Sequence, residues 1–191
     1  MERVHGKYVI RRRDNIDKRG NYREYRPEIQ QDFYNICGYC GKSKECLYEE
    51  HELDHFVPID VDKEKENDYF NLVYACKKCN GSKQKDWPTK DKNIWYKDGK
   101  GYCDPATEEF DSHLGRDSEG NIFYKTDVGK YMYNRLHFDI RPISYVWQLM
   151  QLIHIEEKLK NQPNKSEERL EILDKIKELR TYLKYENSSR E

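Results

Sequence analysis

With 191 residues, 36% of them hydrophobic and 37% charged, the chain has material for only a small core, and a small core commonly needs a staple. The formal net charge of -1 says little, because it averages opposite local charges. No apolar run is long enough to span a bilayer and the opening Met1-Glu2-Arg3-Val4-His5 is not leader-like, so the expectation is a cytoplasmic protein with no membrane partner, whose six cysteines point to metal before disulfide.

In chain order, residues 1–36 form a basic N-terminal arm, with Arg11, Arg12, Arg13, Lys18, Arg19, Arg23 and Arg26 interleaved with Tyr8, Tyr22 and Tyr25. Residues 37–88 hold four cysteines in a paired pattern, and within them 60–68 are too polar to pack and predict an exposed loop. Residues 89–141 are punctuated by glycines and predict an irregular wrapping segment, with a turn at 117–120 ahead of a short strand, Ile122-Phe123-Tyr124. Residues 142–191 predict a helical hairpin. Its first helix opens at Pro142 and carries Val146, Leu149, Leu152 and Ile153, and Gln162-Pro163-Asn164 stops it. Ser166 is suited to cap the second helix, where Ile172, Ile176, Leu179 and Leu183 form an apolar seam.

Cys37-Gly38-Tyr39-Cys40 and Cys76-Lys77-Lys78-Cys79 are two Cys-x-x-Cys knuckles. Each turns two sulfurs toward one ion, and two knuckles complete the closed tetrahedral set typical of structural zinc. Such a site has no open position for water, so its role is to hold the segment together. Cys46 and Cys103 fall outside the pattern and read as small buried residues, although Cys46 is near enough to compete as a ligand.

Between the knuckles, Glu52-Leu53-Asp54-His55-Phe56-Val57-Pro58-Ile59 reads as a strand entering a turn. Asn71-Leu72-Val73-Tyr74-Ala75 reads as a second strand, and a polar helix is expected from Asn80. Cys-x-x-Cys, Asp-His-x-x-Pro, Asn-Leu-Val and Cys-x-x-Cys-Asn-x-x-Lys, in that order over residues 37–86, resemble the HNH endonuclease family in its zinc-stapled form. The resemblance implies an α+β fold built on a ββα-metal finger, two antiparallel strands and a helix around one catalytic cation. It also implies an enzyme that hydrolyses phosphodiester bonds in DNA, most naturally double-stranded.

That chemistry needs an activated water and stabilised charge at phosphorus. His55 suits the general base, since imidazole titrates near neutrality. Asp54 points the other way on an extended strand and suits a hard cation, magnesium or manganese. The resemblance makes Asn80 a second ligand of that cation and Asn71 the residue that fixes the loop and the orientation of His55. Lys83, about one helical turn beyond Asn80, is expected to contact or position the scissile phosphate. His51 lies upstream as a lesser ligand candidate.

A nucleic-acid backbone demands positive charge, and Arg11, Arg12, Arg13, Lys77, Lys78 and Lys85 are the candidates to supply it. The run through Asp104-Pro105, Phe110-Asp111-Ser112-His113, Glu119-Gly120-Asn121-Ile122, Gly129 and Arg135-Leu136-His137-Phe138 is similar to bacterial defence HNH proteins of the Septu and retron kind. That similarity implies antiviral defence beside a regulatory ATPase. His113 and His137 read as structural. Two other classes compete. A non-catalytic zinc module would keep the cysteines but has no use for an Asp-His pair followed by Asn. A zinc deaminase needs an open zinc, which four cysteines would close.

Overall fold

The computed structural model describes residues 2–188, apart from the side chains of 163 and 186–188. Residues 189–191 of the expected hairpin segment lie outside the described residues. The fold mixes helix and strand, and its strands form three separate antiparallel pairs.

The N-terminal stretch is built into the core. Val4 and Ile10 are buried in it, and a helix, α1 (Arg26–Asp32), follows a 3-10 turn at Tyr22–Tyr25. Pro27 sits in the first turn of α1, where its missing N–H is harmless. Tyr25, Ile29 and Phe33 recur every four residues and so share the face that packs on the interior.

Strand β1 (Glu52–His55) pairs with β2 (Leu72–Ala75), placing Asp54 opposite Val73 and His55 opposite Leu72. All four residues of β2 are buried. The stretch between them carries 3-10 turns at Lys63–Lys65 and Tyr69–Asn71. Its ends are buried at Phe56, Val57, Tyr69 and Asn71, while residues 60–68 are exposed or half-buried, except that Asp62 is buried and caps the first turn by accepting from the Glu64 N–H. Helix α2 (Lys77–Lys83) begins within the second knuckle, with Cys76 at its N-cap. The helix expected from Asn80 therefore starts earlier and carries Cys79, because the knuckle itself supplies the first turn. It stops at Gln84, whose φ of 45° is left-handed.

Two glycines are required by geometry. A Cβ at Gly38 would lie 2.6 Å from the Phe33 ring and 2.9 Å from Val73, so the first knuckle can lie against β2 only without one. Gly99 (φ 74°) follows Asp98 (φ 51°) in the tight turn joining β3 (Tyr96–Lys97) to β4 (Lys100–Gly101), the Asp-Gly pattern that two-residue hairpins favour.

Helix α3 (Phe110–His113) runs directly into β5 (Leu114–Arg116), which pairs with β6 (Ile122–Tyr124) across the turn expected at 117–120. Helix α4 (Asp127–Arg135) is capped by Thr126, whose Oγ1 accepts from the Gly129 N–H. The last two helices, α5 (Ile143–Leu159) and α6 (Ser166–Ser188), pack along each other. Leu149, Ile176 and Leu183 form a second buried cluster there, joined by Ile172, Leu179, Val146 and Ile153. Cys46 and Leu47, from the loop after the first knuckle, complete it. Among the described residues no helix is long and apolar enough to cross a membrane.

Candidate functional site

Cys37, Cys40, Cys76 and Cys79 converge, their sulfurs all within 4.8 Å of one another and all four residues buried. Cys40 and Cys76 sulfurs are 3.8 Å apart. A tetrahedral zinc with Zn–S bonds of about 2.3 Å would separate its sulfurs by roughly 3.8 Å, so the quartet fits such an ion. Burial pushes the Cys37 and Cys79 thiols up, whereas hydrogen bonding from Cys37 holds Cys40 and Cys76 down, Cys76 to about 6.

Positive charge surrounds this cluster. Arg141 Nη1 donates to Cys79 Sγ at 3.2 Å, and its Nη2 lies 3.6 Å from Cys40 Sγ and 3.7 Å from Cys76 Sγ. Arg116, 1% exposed, donates to the carbonyls of Val4 and Cys40 and stacks its guanidinium 4.2 Å from the Trp147 ring centroid. Four thiolates around one divalent ion carry a charge of about -2, which a buried guanidinium offsets. His5 braces the same knuckle through Nε2 and the Gly38 carbonyl at 2.6 Å. Burial lowers its pKa to about 4.

Side chains alternate along β1. Glu52 and Asp54 face α2, where Asn80 Nδ2 donates to Glu52 Oε2 at 2.7 Å. Asp54 is 5% exposed, accepts from the Tyr39 hydroxyl, and pairs with the Lys83 ammonium at 3.1 Å. Burial, with the Asp54 carboxylate beside it, pushes the Tyr39 phenol well above its usual range, so it stays a donor. Asn80 thus meets Glu52, a carboxylate that sequence reasoning passed over. Its signal was the alternation with Asp54 two residues on.

His55 ends β1, half-buried, with its ring 4.7 Å from that of Tyr22, edge-on. Its Nε2 lies 2.8 Å from the Glu66 carbonyl, which only accepts, so Nε2 carries the proton and Nδ1 presents its lone pair. Asn71 is 3% exposed and knits the loop that delivers Glu66. Its Oδ1 accepts from the Val57 N–H at 2.8 Å, and its Nδ2 donates to the carbonyls of Val57 at 3.0 Å and Lys65 at 3.3 Å.

Two expected phosphate contacts are spent inside the protein. Lys83 has no exposed surface and divides its ammonium between Asp54 and the His55 carbonyl, at 2.8 Å. It cannot reach a phosphate from there. Arg12 holds Asp104 through two bonds of 2.8 and 3.0 Å and also donates to the Leu72 carbonyl, its side chain 7% exposed. It braces β2 and is unavailable to a phosphate. Arg11, Arg13 and Lys85 are exposed and ion-paired with Glu108, Asp32 and Asp60 respectively, while Lys77 and Lys78 are exposed on α2. His51 is buried under Tyr74 and bonded to the Lys42 carbonyl.

No curated protein and no solved structure matches the chain. The family model of the HNH endonucleases matches residues 37–86, from the first cysteine of one knuckle through both strands and α2, which suggests a nuclease and, with it, a nucleic-acid substrate.

Proposed function

We propose that the chain is a metal-dependent HNH endonuclease that hydrolyses DNA phosphodiester bonds, with β1, β2 and α2 forming a ββα-metal finger stapled by zinc. The observation that carries this reading is His55, held by the Glu66 carbonyl so that Nδ1 is left as a base, beside Asp54 at the end of β1. His55 Nδ1 takes the proton of a water attacking phosphorus. Asn71 keeps the loop, and so the imidazole, in place.

The donor chemistry on the other face fits a hard divalent ion: carboxylates on Glu52 and Asp54 and an amide oxygen on Asn80. Asp54 has lone pairs beyond those used by Tyr39 and Lys83. When bound there, magnesium or manganese supplies charge stabilisation at the phosphate. Lys83 and Tyr39 act as positioning residues that orient Asp54. Lys77 and Lys78 on α2, with Arg11, Arg13 and Lys85, would meet the nucleic-acid backbone. A role in bacterial antiviral defence beside a regulatory ATPase rests on the pattern at 104–138 alone.

The buried pairing of Asp54 with Lys83 favours one other reading, a non-catalytic module that binds nucleic acid. Plasmid DNA incubated with the protein and with His55→Ala, in magnesium, manganese or chelator, separates the two. The nuclease reading expects metal-dependent cleavage that falls at least about 100-fold in the variant, at unchanged zinc content. DNA binding without cleavage, or equal cleavage by both proteins, overturns it.

A further inference from the structure

Away from the four-cysteine cluster, Cys103, Glu109 and His113 bring a sulfur, a carboxylate oxygen and an imidazole nitrogen within 4.8 Å of one another. Cys103 follows β4, His113 ends α3, and Glu109 precedes α3, so the three come from one short stretch folded back on itself.

The histidine is what separates this cluster from chance. His113 is 7% exposed, and its Nε2 is buried without a hydrogen-bond partner. Glu109 Oε1 is 3.7 Å away, too far for a hydrogen bond. A buried ring nitrogen left unmatched is costly, and natural cores rarely tolerate one without a reason. Two ligands of one tetrahedral ion, with bonds of about 2.0–2.2 Å, stand roughly 3.4 Å apart, close to the spacing seen.

The surroundings suit a ligand. His113 Nδ1 is 2.6 Å from Thr126 Oγ1, which already accepts from the Gly129 N–H as the cap of α4. With Nδ1–H donating to that oxygen, the lone pair lies on Nε2 and faces Cys103 and Glu109. Tyr96 donates its hydroxyl to Glu109 Oε1 and stands edge-on to the His113 ring. Thr107 Oγ1 lies 3.6 Å from Cys103 Sγ.

We infer that Cys103, Glu109 and His113 form a second transition-metal site, of zinc class. A thiolate, an imidazole and one carboxylate select a borderline ion over magnesium or calcium. Binding releases the Cys103 thiol proton to solvent, and three protein ligands leave one position for water. The site would fasten the irregular segment between β4 and α3 to α3 itself and, through Thr126, to α4. It stands independently of the nuclease reading.

The test counts metal. Full-length protein saturated with zinc and freed of excess is expected to carry two zinc ions per chain. Cys103→Ala and His113→Gln are each expected to carry one. Glu109→Gln changes an exposed residue and leaves the fold intact whatever the other two do. It is expected to release its second zinc to a competing chelator at least tenfold more readily. Cobalt loading adds a spectroscopic readout: the sulfur-to-cobalt absorption of the wild type should exceed that of Cys103→Ala by one thiolate's share. One zinc in the wild type, or a second zinc whose retention is unmoved by Glu109→Gln and by His113→Gln, overturns the inference.

Discussion

Lys83→Met replaces a buried ammonium with an apolar side chain of similar length. It leaves the Asp54 carboxylate, 5% exposed, facing the Tyr39 hydroxyl alone, and strips a donor from the His55 carbonyl. Removing one partner of a buried ion pair typically costs about 3–5 kcal/mol, because the remaining charge stays desolvated. At this chain length each kcal/mol moves the thermal midpoint by about 2–4 °C, so the variant should melt about 6–20 °C lower. Adding Asp54→Asn removes the stranded charge, and the double variant should recover part of that loss. The coupling comes from a double-mutant cycle in zinc-saturated buffer, which keeps metal linkage constant. A midpoint within about 2 °C of wild type, with the two substitutions additive to about 0.5 kcal/mol, would refute the buried pair. The same variant distinguishes structure from chemistry, since a lysine serving only to touch phosphate would lower cleavage and leave the melt unchanged.

Arg141→Gln removes the guanidinium that donates to three of the four sulfurs, and chelator competition should show zinc held about 10–100-fold less tightly. His5 carries a pH signature. Its folded pKa, pushed to about 4 by burial, lies below the ordinary 6.5, so the unfolded chain takes up the proton first. The contribution is complete above pH 6.5 and is lost as pH falls through 4, about 3 kcal/mol in all. Denaturant titrations of His5→Phe should show a shallower loss of stability across that window than the wild type does. Arg12→Ala, which strands Asp104, should destabilise by about 3–5 kcal/mol, whereas Arg11→Ala, whose pairing is at the surface, should stay within about 0.5. Calorimetry of the two variants measures the contrast.

Local pattern made some of this legible and distance hid the rest. Paired knuckles, the two strands between them, the turn at 117–120 and the terminal helices all follow from spacings of a few residues, and each stands in the structure near its expected place. Helix α1 could have been found the same way, since Tyr25, Ile29 and Phe33 lie four apart, but the density of arginines around them suggested a solvated arm. The partners of Arg12 and Lys83 were hidden for a different reason. A charged side chain is assigned to solvent unless its partner is known, and Asp104 lies 92 residues from Arg12 while Asp54 lies 29 from Lys83. Nothing in a periodicity reports such pairs. Arg141 is hidden the same way, because only the folded chain brings it to the sulfurs. Glu52 was visible in alternation with Asp54, yet carried no motif to single it out.

Those distant partners bear on how much of the chain the matched segment needs. Residues 37–86 hold the cysteines and the Asp-His pair, but the backbone of that segment is braced from outside it. His5 holds the Gly38 carbonyl, Arg12 the Leu72 carbonyl, Arg116 the Cys40 carbonyl, and Arg141 the sulfurs. Phe33 and Ile29 cover the same core that Val73 and Tyr74 enter. A fragment of residues 37–88 would expose that apolar face and leave the charge on its thiolates uncompensated. Its buried area is also too small to offset chain entropy without help. The fragment should therefore bind zinc more weakly than the whole chain, by at least the 10–100-fold assigned to Arg141, and should lack a cooperative thermal transition. Zinc affinity and melting measured side by side decide the matter. A fragment that melts cooperatively and binds zinc as tightly as the full protein would mean that the bracing contacts are ornament, and that the finger folds on sulfur coordination alone.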